Sequence, residues 1–194
     1  MKLLKTLIVV LLCIGLAACG YFDKGPAEEA LKAASQAVEG VRAEGSKFAA
    51  EPFKQLEGSL KAAQDEFAKG EYKAALAAAK DLGAKAQEVA KAAADKKAAL
   101  TKSWEDASAG ISQALDAAKK KLDELLAAKK LPKDITKEKL TELQSALDAT
   151  TKQYEELKSA AGADVAKAVE SANALKAKMA EIAQGLGIGG EAAK

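Results

Sequence analysis

Residues 71–130 contain no proline and only two interior glycines, Gly83 and Gly110. Their apolar residues recur in steps of four and three, which a strand cannot satisfy and a continuous helix can. At 1.5 Å per residue a helix of about 60 residues would reach about 90 Å. Its seam runs through Tyr72, Leu76, Ala79, Gly83, Ala86, Ala90 and Ala93, then Leu100, Trp104, Ala107 and Ile111. That is a heptad spacing, and it calls for helical partners. Lys97 falls on the seam and weakens it locally, and after Ile111 the stripe slips to Leu115, Ala118, Leu122 and Leu125, an inserted four-residue step of the stutter kind.

Leu131-Pro132-Lys133-Asp134 stops this helix, because Pro132 cannot continue it and disfavours helical geometry at Leu131. From Thr136 the stripe resumes as Leu140, Leu143, Leu147, Thr150, Tyr154, Leu157 and Ala161. After a second four-residue step near Gly162 it continues as Val165, Ala168, Ala172, Leu175, Met179 and Ile182. The spacing predicts one long helix to residue 185, kinked at Gly162 or newly capped there by Ala163-Asp164. Folded back antiparallel about Pro132, it sets Leu125 against Leu140, Leu122 against Leu143, Ile111 against Tyr154, Val89 against Leu175 and Leu82 against Ile182. Trp104, the single tryptophan, then faces Ala160, Ala161 and Gly162. Tyr72, Trp104, Ile111, Tyr154 and Leu175 are the expected core residues. Trp104, Tyr154 and Met179 read as seam residues sooner than as the lining of a ligand groove.

Pro26 is suited to open a helix, with Glu28 and Glu29 near its positive end. Leu31, Ala34, Val38 and Val41 make its stripe, and Gly45 and Ser46 are expected to end it. A second helix from Pro52 carries Phe53, Leu56, Leu60, Ala63 and Phe67 and ends at Gly70. The piece Phe67-Ala68-Lys69-Gly70-Glu71-Tyr72 resembles the turn between paired helices of tetratricopeptide repeats. A solenoid needs about three copies at a fixed period, so this one reads as an isolated hairpin turn. The expected fold is all-α: an elongated antiparallel helical hairpin or coiled-coil bundle over residues 71–185, turning near 131–135, with a shorter N-terminal helical hairpin, 26–70, packed at its base. Residues 186–194 are expected to be a flexible tail.

The first residues carry a different signal. Lys2 and Lys5 precede an apolar run from Leu7 to Leu16 that is too short to span a bilayer comfortably, the layout of a removable secretory leader over residues 1–18. Leu16-Ala17-Ala18-Cys19 closes it and resembles the lipobox of bacterial lipoproteins. The resemblance implies that Cys19 becomes the N-terminus, carries thioether-linked diacylglycerol, and anchors the chain in a membrane through acyl chains, with residues 19–25 as a tether. Gly20 after the Cys, by the same resemblance, points to the outer membrane and a body facing the periplasm. A Pro-started Ala-rich helix, a Lys-Gly-Glu-Tyr turn and another Ala-rich helix behind a lipobox are also similar to bacterial lipoproteins that carry a domain of unknown function.

Composition narrows the chemistry. The chain has 30 basic and 28 acidic residues, and once Lys2 and Lys5 leave with the leader the signs balance. Interleaved lysines and carboxylates argue against the net basic face that nucleic acid requires. There is no histidine, which removes imidazole bases and histidine zinc sites. With Cys13 in the leader and Cys19 acylated, no thiol remains for a disulfide or a metal. No catalytic residue, cofactor site or metal site is expected, and a non-enzymatic role follows. Lys194 ends the chain, as a lysine ends the major outer-membrane lipoprotein that is bonded to peptidoglycan; that resemblance implies a covalent wall link through Lys194. Three roles fit: a periplasmic spacer or scaffold for an envelope protein partner, the wall tether, and a lipid- or client-binding chaperone. Seams this rich in alanine could also be covered between copies, as a homo-oligomer.

Overall fold

A computed structural model describes residues 23–133 and 135–188 of the chain, side chains included. The helices are α1 (Lys2–Phe48), α2 (Ala50–Ala68), α3 (Tyr72–Ala127), α4 (Lys137–Ala160) and α5 (Val165–Gly185). The fold is an all-α helical bundle, with no strand among the described residues. Cys19 and Lys194 lie outside the described residues.

The chain forms two compact units, Met1–Lys96 and Lys97–Lys194. The first packs α1, α2 and the N-terminal part of α3. Its core is Leu31, Ala34, Val38, Phe53, Leu56, Ala63, Ala75, Ala79, Leu82, Ala86, Val89 and Ala93. Arg42 on α1 reaches Glu57 on α2, while Asp23 pairs with Lys73 and Gly45 packs on Val89. Those contacts run α1 parallel to α3, and α2 antiparallel to both.

Two features of this unit correct the sequence reading. Pro26 lies inside α1 and does not open it, its exposed ring facing away from the fully buried Ala27. Gly45 does not end α1 either. It is a point of close approach, where an added Cβ would stand 3.0 Å from both Phe53 and Val89. The helix bends four residues later, at Ala49, whose φ of −136° and ψ of 49° leave the helical region while its N–H still reaches the Gly45 carbonyl at 2.8 Å. A small residue at 45 lets α2 fold back that tightly.

The second unit packs the C-terminal part of α3 with α4 and α5 around Ala107, Ile111, Leu115, Ala118, Leu122, Leu125, Leu140, Leu147, Tyr154, Leu175, Met179 and Ile182. The register expected for α3 against α4 is present, since the Tyr154 hydroxyl donates to the Ser108 carbonyl at 3.0 Å. Beyond Ala161 the single-hairpin expectation fails. Asp164 caps a new helix by accepting from the Lys167 N–H at 3.2 Å, and α5 turns back along α4. Lys178 donates to Gln153 at 2.9 Å, and a Cβ at Gly185 would meet Leu143.

Leu175 and Ile182 therefore join this core, while Val89 and Leu82 belong to the first unit, and the pairs expected between them are not made. A Cβ at Gly162 would enter open space, and Trp104 packs against the second core. From Ala107 onward the stripe positions are the buried or half-buried ones; between 72 and 93 Ala75, Leu82 and Val89 are buried where the spacing predicts Leu76, Gly83 and Ala90, and the direction of the last helix differs.

Two helix ends close by one device. Gly70 (φ +85°) and Gly187 (φ +75°) take the left-handed conformation. In the first, Gly70 and Glu71 donate to Phe67 and Glu66; in the second, Gly187 and Ile188 donate to Gln184 and Ala183. Both are Schellman closures, which satisfy carbonyls that the helix end would otherwise strand. The second corrects the tail: Leu186 is 1% exposed and Ile188 packs on the core, so order extends at least to residue 188.

Gly45→Val should lower unfolding stability by about 1–3 kcal/mol, because added methyls have no room against Phe53 and Val89. Gly83→Ala, entering open space within a helix, should raise it by about 0.5–1 kcal/mol. Urea titration followed by circular dichroism measures both.

Candidate functional site

Of the expected core residues, Ile111 (0% exposed), Tyr154 and Leu175 are buried. Trp104 is half-buried and packs against the edge of the second core. Tyr72 is only half-buried: its ring meets Phe67 edge-on at 5.1 Å, and the seam behind it passes through Ala75, Ala79, Leu82, Ala86 and Val89 instead. The buried stripe runs one position before the expected one, through Ala75, Leu82 and Val89 in place of Leu76, Gly83 and Ala90.

The buried polar groups are few and each is satisfied. Thr150, 3% exposed, donates to the Ala146 carbonyl at 2.8 Å, one turn back. Tyr154 Oη lies 2.7 Å from Ser108 Oγ and donates to the Ser108 carbonyl, tying α4 to α3. No described buried side-chain nitrogen or oxygen lacks a partner. Nothing in that pair polarises the hydroxyls toward reaction, since no charged group contacts them in these bonds.

Electrostatics elsewhere is shallow. Arg42, the single arginine, donates from Nε to Glu39 at 2.7 Å and from Nη1 to Glu57 at 2.6 Å, with its guanidinium 5.5 Å from the Phe53 ring centroid. Hydrogen bonds to Glu39 and then Glu57 raise its pKa further, so it stays charged throughout. Lys69 is raised in the same way by Glu66. The Glu138 carboxylate is held below its usual range, first by its own backbone N–H and then by the Thr136 hydroxyl at the start of α4. Its lowered pKa means that this small contribution is present near neutrality and lost as pH falls into the acid range.

Shallow grooves lie on the described surface. One, of about 380 Å³, lies between α2 and α3 over Leu56 and Val89. Another, of about 350 Å³, lies where α3, the 128–136 connection and the end of α5 meet, over Leu125 and Leu186 with Lys121 and Lys139 at its rim. A third, of about 230 Å³, lies between α4 and α5. The first is lined by Ser59, Lys85 and Glu88 as well, and its Ser59 hydroxyl donates to the Gln55 carbonyl at 3.0 Å, one turn back in its own helix. Among the described residues no group of three or more potential ligands is placed to hold a metal ion, and no helix is long and apolar enough to cross a membrane.

No family model, curated protein or solved structure matches the chain.

Tyr154→Phe should cost about 0.5–1.5 kcal/mol of unfolding free energy, the worth of a part-buried hydrogen bond. Ser108→Ala should cost less, because the Ser108 carbonyl still accepts from Tyr154. Thermal melts of the two variants, read side by side, check the order.

Proposed function

We propose that this is a non-enzymatic bacterial lipoprotein, held in the outer membrane by acyl chains on Cys19 and presenting two helical bundles to the periplasm as a spacer or protein-binding scaffold. The observation that carries the reading is the sequence Leu16-Ala17-Ala18-Cys19 directly after the Leu7–Leu16 apolar run and the basic Lys2 and Lys5. Two or more acyl chains bind a membrane firmly where one holds only marginally, so such an anchor needs no spanning helix in the body. A body built from satisfied backbone, alanine seams and paired surface charges suits a part that holds a position and makes contacts. The histidine-free composition supports the same view.

Labelling cells with a palmitate analogue should tag the wild-type chain, and Cys19→Ala should abolish the tag and move the protein out of the membrane fraction. An intact mass showing an unmodified N-terminus on wild-type protein released into the medium would overturn the proposal.

A further inference from the structure

The chain is close to neutral, and along most of it lysines alternate with carboxylates. That balance breaks at the α3–α4 connection, as it also does over residues 91–102, where Lys91, Lys96, Lys97 and Lys102 outnumber Asp95. Residues 128–139 hold Lys129, Lys130, Lys133, Lys137 and Lys139 against Asp134 and Glu138. All five lysines are exposed. No described carboxylate lies within ion-pairing distance of any of them, whereas Lys121, one turn before the end of α3, is paired with Glu124 at 3.8 Å.

Two of the five sit where a helix disfavours them. Thr136 caps α4 by accepting from the Lys139 N–H at 3.2 Å, so Lys137 and Lys139 occupy the first turn of a helix, where the backbone dipole is positive and carboxylates are favoured. Lys137 and Lys139 share that turn with the Glu138 carboxylate, which Lys137 helps to hold ionised, while Lys129 and Lys130 follow the C-terminal end of α3, where cations are favoured.

A second, independent observation lies at the same end of the bundle. Leu126, in the last turn of α3, is 53% exposed, the large hydrophobic residue left open among the described residues. Exposed Pro132 and half-buried Leu131 and Ile135 follow it around the turn. The groove over Leu125 and Leu186, with Lys121 and Lys139 at its rim, opens there as well. Apolar side chains ringed by ammonium groups fit an interface that is itself anionic at the surface and apolar just beneath.

From this juxtaposition we infer that the α3–α4 end of the second unit is a docking surface for an anionic lipid membrane, its lysines on headgroup phosphates and Leu126 entering the headgroup layer. Charge complementarity selects an anionic partner, and the exposed leucine favours a lipid surface over a soluble polyanion. This contact is distinct from the acyl anchor: it uses residues of the folded body and requires no modification of Cys19.

The test uses the unacylated chain from Gly20 onward, which retains both cores, since all their buried residues lie between Ala27 and Leu186. It is sedimented with vesicles of phosphatidylcholine alone or with about a third phosphatidylglycerol. Binding should appear only with phosphatidylglycerol and weaken steeply as salt is raised. Each surface lysine contributes about fivefold near an anionic leaflet, so K129Q/K130Q/K133Q should bind on the order of a hundredfold more weakly. Leu126→Ser should weaken binding several-fold, with circular dichroism unchanged in both variants. Equal binding to the two vesicle types, undiminished binding by the triple variant, or displacement by inorganic phosphate at matched charge concentration would each overturn the inference.

Discussion

A helix stripe made largely of alanine buries too little area against one neighbour to hold a fold together, because each methyl removes only a small patch from water. Covering the same stripe from two sides roughly doubles what each residue contributes. Both units adopt that solution: α3 is flanked by α1 and α2 in the first and by α4 and α5 in the second. Alanine also lets helix axes approach at the short end of the usual 8–10 Å range. Gly45, seated against Phe53 and Val89, shows how near contact the first bundle is packed.

The same constraint explains where sequence reasoning succeeded and failed. Outside residues 72–93 the periodicity located nearly every buried residue from Leu31 to Ile182, including the slip after Ile111, because spacing along a helix depends only on the 3.6-residue turn. It could not say which helix covers which. A single hairpin would have continued past Gly162 and paired α5 with residues 82–89 of α3, yet those residues were already claimed by α1 and α2. The sequence did carry the signal for reversal, a Gly followed by Asp164 as a cap. The spacing allows a kink or a fresh cap there and does not choose between them, because heptad agreement between two long stripes is partly automatic. Tyr72 is placed differently as well: the buried stripe runs through Ala75 and Leu82, one position before a seam drawn through Leu76 and Gly83.

The candidate functional features were legible to an unequal degree. A lipobox is a local string and can be read without a fold. The basic end of the second unit escaped attention because its lysines belong to a helix end, a connection and the next helix start, and no single periodic window contains them. The exposure of Leu126 could not be read at all, since a leucine one position beyond the seam residue Leu125 looks like part of the stripe until the bundle shows which face is covered.

One stretch of α3 has a consequence of its own. Between Ala93 and Ala107 no residue is buried, and positions 94–99 are all exposed. Residues 94–99 bury no apolar side chain, so their helicity rests largely on alanine and lysine propensity and on backbone bonds open to competition from water, a regime in which short helices are only marginally formed. Amide protons there should exchange sooner than those in either core, and among the described helices a trypsin-like protease would find a foothold at Lys96 and Lys97.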